Sequence, residues 1–214
     1  MRMAELSAES GVPVATVKYY LREGLLPPGE RTSPNQSRYA GTHVRRLRLI
    51  RALSEVGGLS LASIGAILAE LDDDECTPHK VMGAVQDELA GRPPEVPEPA
   101  AEEAFELLAG MIRRNGWGEL KHCGPTVGNL VATMATLRAL GHGRLLDHLE
   151  DYARLAVLVA EVDLDSLRGL GSVDELIETG VVATVLGDRI FAGLRHLAQE
   201  MVSRELLGRR DPSR

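Results

Sequence analysis

Aromatic residues are scarce in this 214-residue chain: one Trp, four Tyr and two Phe, or 3% of the sequence. That is too few to wall a broad aromatic ligand pocket. Three of them, Tyr19, Tyr20 and Tyr39, fall within the first 39 residues. Cysteine is scarcer still, and Cys76 and Cys123 alone make neither a disulfide scaffold nor an all-cysteine zinc site within one chain. Long apolar runs are missing; the densest near the C-terminus, residues 181–186, is far too short to span a bilayer. Met1-Arg2-Met3 leads into polar residues rather than an apolar core, so no signal peptide is expected and the expected location is cytoplasmic. No nucleophile motif, phosphate-cradling glycine loop or metal–carboxylate set is present, and His142 and His148, six apart, do not share a helix face. The chain reads as a protein that is no enzyme and needs no cofactor.

Positive charge is also in deficit, with 24 Lys+Arg against 31 Asp+Glu and a net charge of −7, which excludes a uniformly basic nucleic-acid binder. The deficit is uneven. Residues 1–51 hold nine basic against four acidic residues, an excess of five positive charges. From Asp72 onward, 15 basic face 25 acidic residues, an excess of ten negative charges. A basic head sits on an acidic body.

In the head, Met3 and Leu6 share a face of a short helix that stops at Gly11, and Ser10-Gly11-Val12 reads as a tight turn. Pro13 suits the first turn of a second helix over residues 14–23, because its missing N–H has no helical partner there. Val17 and Leu21 face inward at i, i+4; Ala15, Thr16, Lys18, Tyr19 and Arg22 face outward. Two short helices joined by a glycine turn, the second with a polar and basic face, describe a helix-turn-helix. Leu25-Leu26-Pro27-Pro28 ends helical geometry. Residues 29–39, rich in turn formers and with Arg31 and Arg38 near the ends, read as a β-hairpin wing. A third helix over residues 42–56 aligns Val44, Leu47, Ile50 and Leu53, with Arg45, Arg46, Arg48 and Arg51 on its other faces. After Gly57-Gly58, Ser60 caps a fourth helix that ends near Leu71.

The ordered series Met3-Ala4-Glu5-Leu6, Gly11-Val12, Val17-Lys18-Tyr19-Tyr20, Gly24-Leu25-Leu26-Pro27, Arg38-Tyr39, Val44-Arg45-Arg46-Leu47 and Leu59-Ser60-Leu61 resembles the MerR-family DNA-binding domain over about a third of the chain. The resemblance implies a winged helix-turn-helix that binds double-stranded promoter DNA as a homodimer. It further implies phosphate anchoring by Lys18, Tyr20, Arg38 and Tyr39, and base contact by Thr16 and its neighbours. Phosphate contacts dominate affinity, while short side chains on the recognition helix read base edges. The family mechanism so implied is an effector-driven change in the pose of two heads, which bends and untwists the promoter until RNA polymerase engages. Departures from the family pattern are Ser7 for alanine, Pro13 for a Ser/Thr cap, an added residue in Gly57-Gly58-Leu59, and Asn35-Gln36 for Gly-Tyr at the wing tip.

The body divides into a short helix and Pro-rich linker (residues 72–99) and an all-α effector-binding and dimerisation domain (residues 100–214). Thr77-Pro78 opens the short helix, with Val81, Met82, Val85 and Leu89 on one face; residues 91–99 read as extended linker. Helical periodicity then predicts segments over residues 102–114, 125–140, 145–162, 173–186 and 187–207. The third is apolar round much of its circumference and is expected to be central. The last two carry more apolar surface than closing the bundle requires, and are expected to form a subunit interface. The fold class is thus all-α with a small β wing: a winged helix-turn-helix head plus a C-terminal helical bundle.

Metal binding has one candidate set, Cys76 and His79 at C-x₂-H spacing with His122 and Cys123, but adjacent His-Cys is awkward around one ion and no metal is expected. Thiol sensing by the same cysteines ranks below an ordinary structural role. Phe105, Trp117 and Tyr152 are candidates to line a small-molecule effector pocket. A competing reading makes the acidic body a protein-partner module with DNA contact secondary; no membrane partner is expected.

Overall fold

The structure is a computed structural model that describes residues 1–33, 36–73, 77–118, 124–170 and 173–208. Helix α1 (Met3–Ser10) ends at Gly11, whose φ of 71° is the left-handed conformation that glycine adopts without strain. Buried Ser10 stitches the turn: its Oγ donates to Leu6 O at 2.7 Å and accepts from the Val12 N–H at 3.3 Å. Ser7, a departure from the family pattern, adds a bond from its Oγ to Val12 O at 2.6 Å. Helix α2 (Val14–Arg22) follows. Strands β1 (Glu30–Ser33) and β2 (Gln36–Arg38) form an antiparallel wing with Glu30 opposite Arg38 and Arg31 opposite Ser37. Asn35, at the expected wing tip, lies outside the described residues. Gly29 is required where the wing starts, since a Cβ there would fall 2.7 Å from Arg38 O and 2.8 Å from the Tyr39 ring.

Helices α3 (Gly41–Glu55) and α4 (Leu61–Leu71) complete the head. Ser60 caps α4 as expected, its Oγ accepting from the Ser63 N–H at 3.0 Å. Ser60→Ala is expected to cost about 1 kcal/mol, or roughly 2–4 °C in Tm for a chain of this size, readable by thermal melting. The arginines of α3 lie on its outer faces as expected, and two of them also brace the head. Arg46 donates from Nε to Leu25 O at 2.8 Å and forms a two-pronged pair with Asp72, both contacts at 2.6 Å. Arg48 donates to Glu9 O at 2.8 Å, and Arg51 pairs with Glu55 on the same helix.

The body comprises α5 (Pro78–Ala90), α6 (Glu98–Arg114), α7 (Pro125–Ala139), a 3-10 turn (Gly143–His148), α8 (Leu149–Asp165) and α9 (Val173–Gly208). Two cores form. The first fuses Leu6, Val17, Leu47, Ile50, Leu53 and Ile64 of the head with Val81 and Val85 of α5 and Ile177, Val181 and Val185 of α9. The second joins Ala104, Leu108 and Met111 of α6 to Val131, Met134 and Ala135 of α7 and Ala153 of α8. Polar ties hold the second together. Arg114 and Asn115 both donate to Glu150, at 2.7 and 2.6 Å, and hold its carboxyl below the usual carboxylate value. The residues between α5 and α6 form neither helix nor strand and are anchored: Asn129 of α7 donates to Ala90 O and Gly91 O, and Pro93 lies where a Cβ on Gly128 would be.

Three expectations are corrected. Helix α6 starts at Glu98, four residues before the predicted start, because Pro97 serves as N-cap and Pro99 occupies the first turn, where proline is tolerated. The predicted central helix is peripheral in the single chain: only Ala153 of α8 is buried, and Leu155, Leu158 and Val162 are 54%, 58% and 72% exposed. The two predicted C-terminal helices are one, α9, with 36 residues and a length of about 54 Å. Gly187 does not interrupt it, since one interior glycine costs only about 1 kcal/mol against alanine.

Candidate nucleic-acid interface

Helix α2 turns Val17 and Tyr20 into the core and so presents Ala15, Lys18 and Tyr19 to solvent, with Thr16 half-buried between them. Tyr19 is backed by Arg22, whose guanidinium lies 5.1 Å from the ring centroid. In the wing, Arg31 and Arg38 are exposed. Lys18, Arg31 and Arg38 enter no ion pair among the described residues, and neither does exposed Arg2. Most cations elsewhere in the head have intramolecular partners. Cations without ion-pair partners among the described residues, on this helix and on the hairpin that follows it, have the charge that phosphate contacts require.

Tyr20 and Tyr39 are placed differently from the cations. Both belong to the core, at 9% and 7% exposure. Burial, with smaller contributions from Glu55 and Tyr19, raises the Tyr20 phenol above its ordinary value, so it stays a neutral donor at physiological pH. The Tyr39 ring meets His43 edge-on at 5.3 Å. Its backbone exchanges two bonds with Met1: the terminal ammonium donates to Tyr39 O at 2.8 Å, and Tyr39 N–H donates to Met1 O at 2.9 Å. That pairing sets the wing beside the start of α1, and thereby brings Arg2 near it. Sequence reasoning missed Arg2 because a residue before the first helix carries no periodic signal.

The other candidates are scattered. Phe105 packs half-buried against the second core, while Trp117 and Tyr152 are 47% and 50% exposed. None of the three lines the two larger cavities, which lie against α3 and α9 and among α5, α7, α8 and α9. Of the metal candidates, His79 is exposed at the start of α5, and Cys76, His122 and Cys123 lie outside the described residues. Among the described residues no group of three or more His, Cys, Asp and Glu could hold a metal ion. No described helix is long and apolar enough to cross a membrane.

The fold and this surface define a class: a winged helix-turn-helix DNA-binding protein with an all-α body. Residues 1–71 match the family model of the MerR HTH family regulatory proteins. A mercuric resistance operon regulatory protein of Bacillus cereus is 38% identical over 74 residues, 35% of this chain and 55% of that protein. An HTH-type transcriptional regulator, a ZntR homolog of Haemophilus influenzae, is 35% identical over 68 residues, 32% of this chain and 50% of that protein. The chain therefore spans about half the length of the curated relatives it matches. The crystal structure of SCO5550, a candidate transcriptional regulator from Streptomyces coelicolor A3(2), extends the likeness further. It is 36% identical, with a TM-score of 0.75, over 100% of this chain and 99% of that one. Residues 1–71 thus form a MerR-type HTH region, and over its whole length the chain is similar to a transcriptional regulator. Its relatives are regulators and not enzymes.

Proposed function

We propose that this regulator is a homodimer that binds a two-fold symmetric promoter operator and distorts it in response to an effector, with RNA polymerase as the beneficiary. In the cell it would reside in the cytoplasm, on nucleoid DNA. The observation that carries the reading is the unpaired cation set of Lys18, Arg31 and Arg38 around the exposed face of α2. Ala15, Thr16 and Tyr19 on that face read base edges, and the cations hold the phosphates on either side. The buried rings of Tyr20 and Tyr39 anchor the helix and wing from which the DNA is reached.

Dimerisation is supported by the distal half of α9. Ile190, Leu194, Leu197 and Met201 are 65%, 59%, 60% and 69% exposed, and their 4-3-4 spacing is the seam of a helix pair. Helix α8 carries a further exposed apolar face, Leu155, Leu158 and Val162, and meets α9 near Gly187. Helix α5, with 13 residues and its apolar face committed to the first core, is too short and too occupied to serve instead. The domain division at residues 71 and 99 stands as part of this proposal, with α9 serving both the head and the dimer.

The likeness to the Bacillus and Haemophilus regulators covers 74 and 68 residues, about a third of this chain, so most of the body has no counterpart in it. The test is fluorescence anisotropy with promoter DNA across a salt series. Log affinity is expected to fall linearly with log salt, and Lys18→Ala to weaken binding to all sequences alike while taking roughly two from the slope of a dimer. Thr16→Ala is expected to change preference at one base pair per half-site. Binding that ignores salt and both substitutions would favour the partner-module reading, in which the apolar face of α8 and α9 captures another protein.

A further inference from the structure

Helix α9 meets the head with its first half and leaves its second half bare. Ile177, Val181 and Val185, each four residues after the last, enter the core of the head, and Arg189 extends that row by one step. A row of i, i+4 contacts lies along one line, so by itself it lets the head roll about the helix. Arg189 blocks the roll at the end of the row. Its guanidinium donates to Gly57 O, in the turn between α3 and α4, at 2.7 Å. Gly57 follows the C-terminal end of α3, where the helix dipole favours a cation. Both glycines of the turn make room for α9: Val185 takes the space of a Cβ on Gly57, and the Arg189 guanidinium that of one on Gly58. The residue by which this turn exceeds the family pattern thus lies where α9 docks. Arg45 and Glu178, an ion pair between α3 and α9, are 3.9 Å apart and stand toward the other end of the row.

We infer that Arg189, seated on Gly57 and Gly58, is a positioning residue for DNA recognition: it fixes the angle at which each head leaves the dimer helix, and so selects the distance between half-sites. The exposed seam starts at Ile190, the next residue of the same unbroken helix, so nothing flexible separates the joint from the dimer axis. On the other side, Val17 ties α2 into the core that α9 enters, so the recognition helix turns with the head. Each base pair added between half-sites moves one of them by roughly 3.4 Å and turns it by roughly 35°. A roll of one head about α9 is therefore equivalent to a change in half-site distance. Two locked joints accept one distance; two loose joints accept several.

This rests on reading the chain as a homodimer paired through α9, so the test uses DNA that the full-length protein selects for itself. The parent, Arg189→Ala and Arg189→Lys each select from a duplex library whose random core spans about four helical turns. The parent is expected to enrich inverted repeats with one dominant distance between half-sites. Arg189→Ala should enrich the same half-site at two or more distances, and Arg189→Lys, which keeps a donor for Gly57 O, should return toward the parent's distribution. In anisotropy, one or two base pairs inserted at the centre of the parent's repeat should weaken the parent about tenfold and Arg189→Ala by no more than about threefold. Affinity for an isolated half-site and sedimentation as a dimer should match between parent and Arg189→Ala, a combination that damage to the head or the seam would not give. Arg189→Ala that keeps the single distance and the full insertion penalty overturns the inference. Loss of half-site affinity in that variant overturns it too, and would make Arg189 a brace of the head alone. A parent that sediments as a monomer or selects no inverted repeat instead sinks the homodimer reading, and this inference with it.

Discussion

Leu194→Glu combined with Leu197→Glu is expected to yield a folded monomer with little operator affinity. Both leucines are about 60% exposed in the single chain, so the substitutions leave its cores intact. In the proposed helix pair they are buried, and each fully buried leucine contributes roughly 1.5–3 kcal/mol. Four are lost per dimer, and four carboxylates would crowd the seam, enough to abolish association at micromolar concentration. A monomer keeps one half-site, so specific affinity is expected to fall by about three orders of magnitude or more. Sedimentation velocity checks the first expectation and anisotropy the second. A dimer that survives would move the interface to the exposed face of α8, around Leu155, Leu158 and Val162. Point substitutions are preferable to removing residues beyond 171, because Ile177, Val181 and Val185 of α9 belong to the core of the head.

Gly57→Ala is the substitution with the largest expected cost to stability outside the core itself. A Cβ at this position would fall 2.5 Å from Leu53 O and 2.5 Å from Val185 Cγ1, and both neighbours belong to elements fixed in the first core. Neither is a flexible side-chain end, so α9 must back away from the α3–α4 turn. Overpacking of this kind typically costs about 1–3 kcal/mol, and loss of the Arg189–Gly57 bond adds roughly 0.5–1.5 kcal/mol. Together these predict a Tm lower by roughly 4–15 °C for a chain of this size. Gly41→Ala is the control: it meets nothing within 4 Å and lies in the first turn of α3, so it is expected to be neutral or slightly stabilising. If the two variants melt together, α9 is not held against the turn. The same contact explains the added glycine before Leu59, since Gly58, with a φ of 73°, sits under the Arg189 guanidinium where a Cβ would lie 2.8 Å from it.

The head is legible in sequence because its determinants are local. Gly11 and Gly24 end helices by backbone conformation alone, Ser60 and Thr77 cap by bonds to residues three along, and i, i+4 spacing tells Val17 and Leu21 from Lys18 and Arg22. Outward positions on α2 follow from 3.6-residue periodicity, so spacing alone identifies Ala15, Thr16, Lys18 and Tyr19. The same rule does not rank tyrosines: Tyr20 and Tyr39 carry a polar tip on a ring large enough to belong to the core, and burial decides that they do.

The body is legible only in outline. Its helical content and the starts of α5 and α7 follow from Thr77-Pro78 and Gly124-Pro125, whereas the assignment of faces does not. An apolar stripe looks alike whether it faces its own chain or a second one. Leu155 and Leu158 of α8 therefore suggest a central helix yet are exposed, while the first half of α9 joins the head across more than 100 residues of sequence. The seat of Arg189 on Gly57 is likewise a product of assembly, because residues 132 apart in sequence carry no joint signal until packing juxtaposes them. By itself, then, the sequence determined the winged helix-turn-helix, its basic face and the helical body, all set by short-range backbone preference and periodic burial. Tertiary structure alone decided which arginines are braces and where α9 docks, because these depend on contacts between segments whose encounter no local pattern encodes.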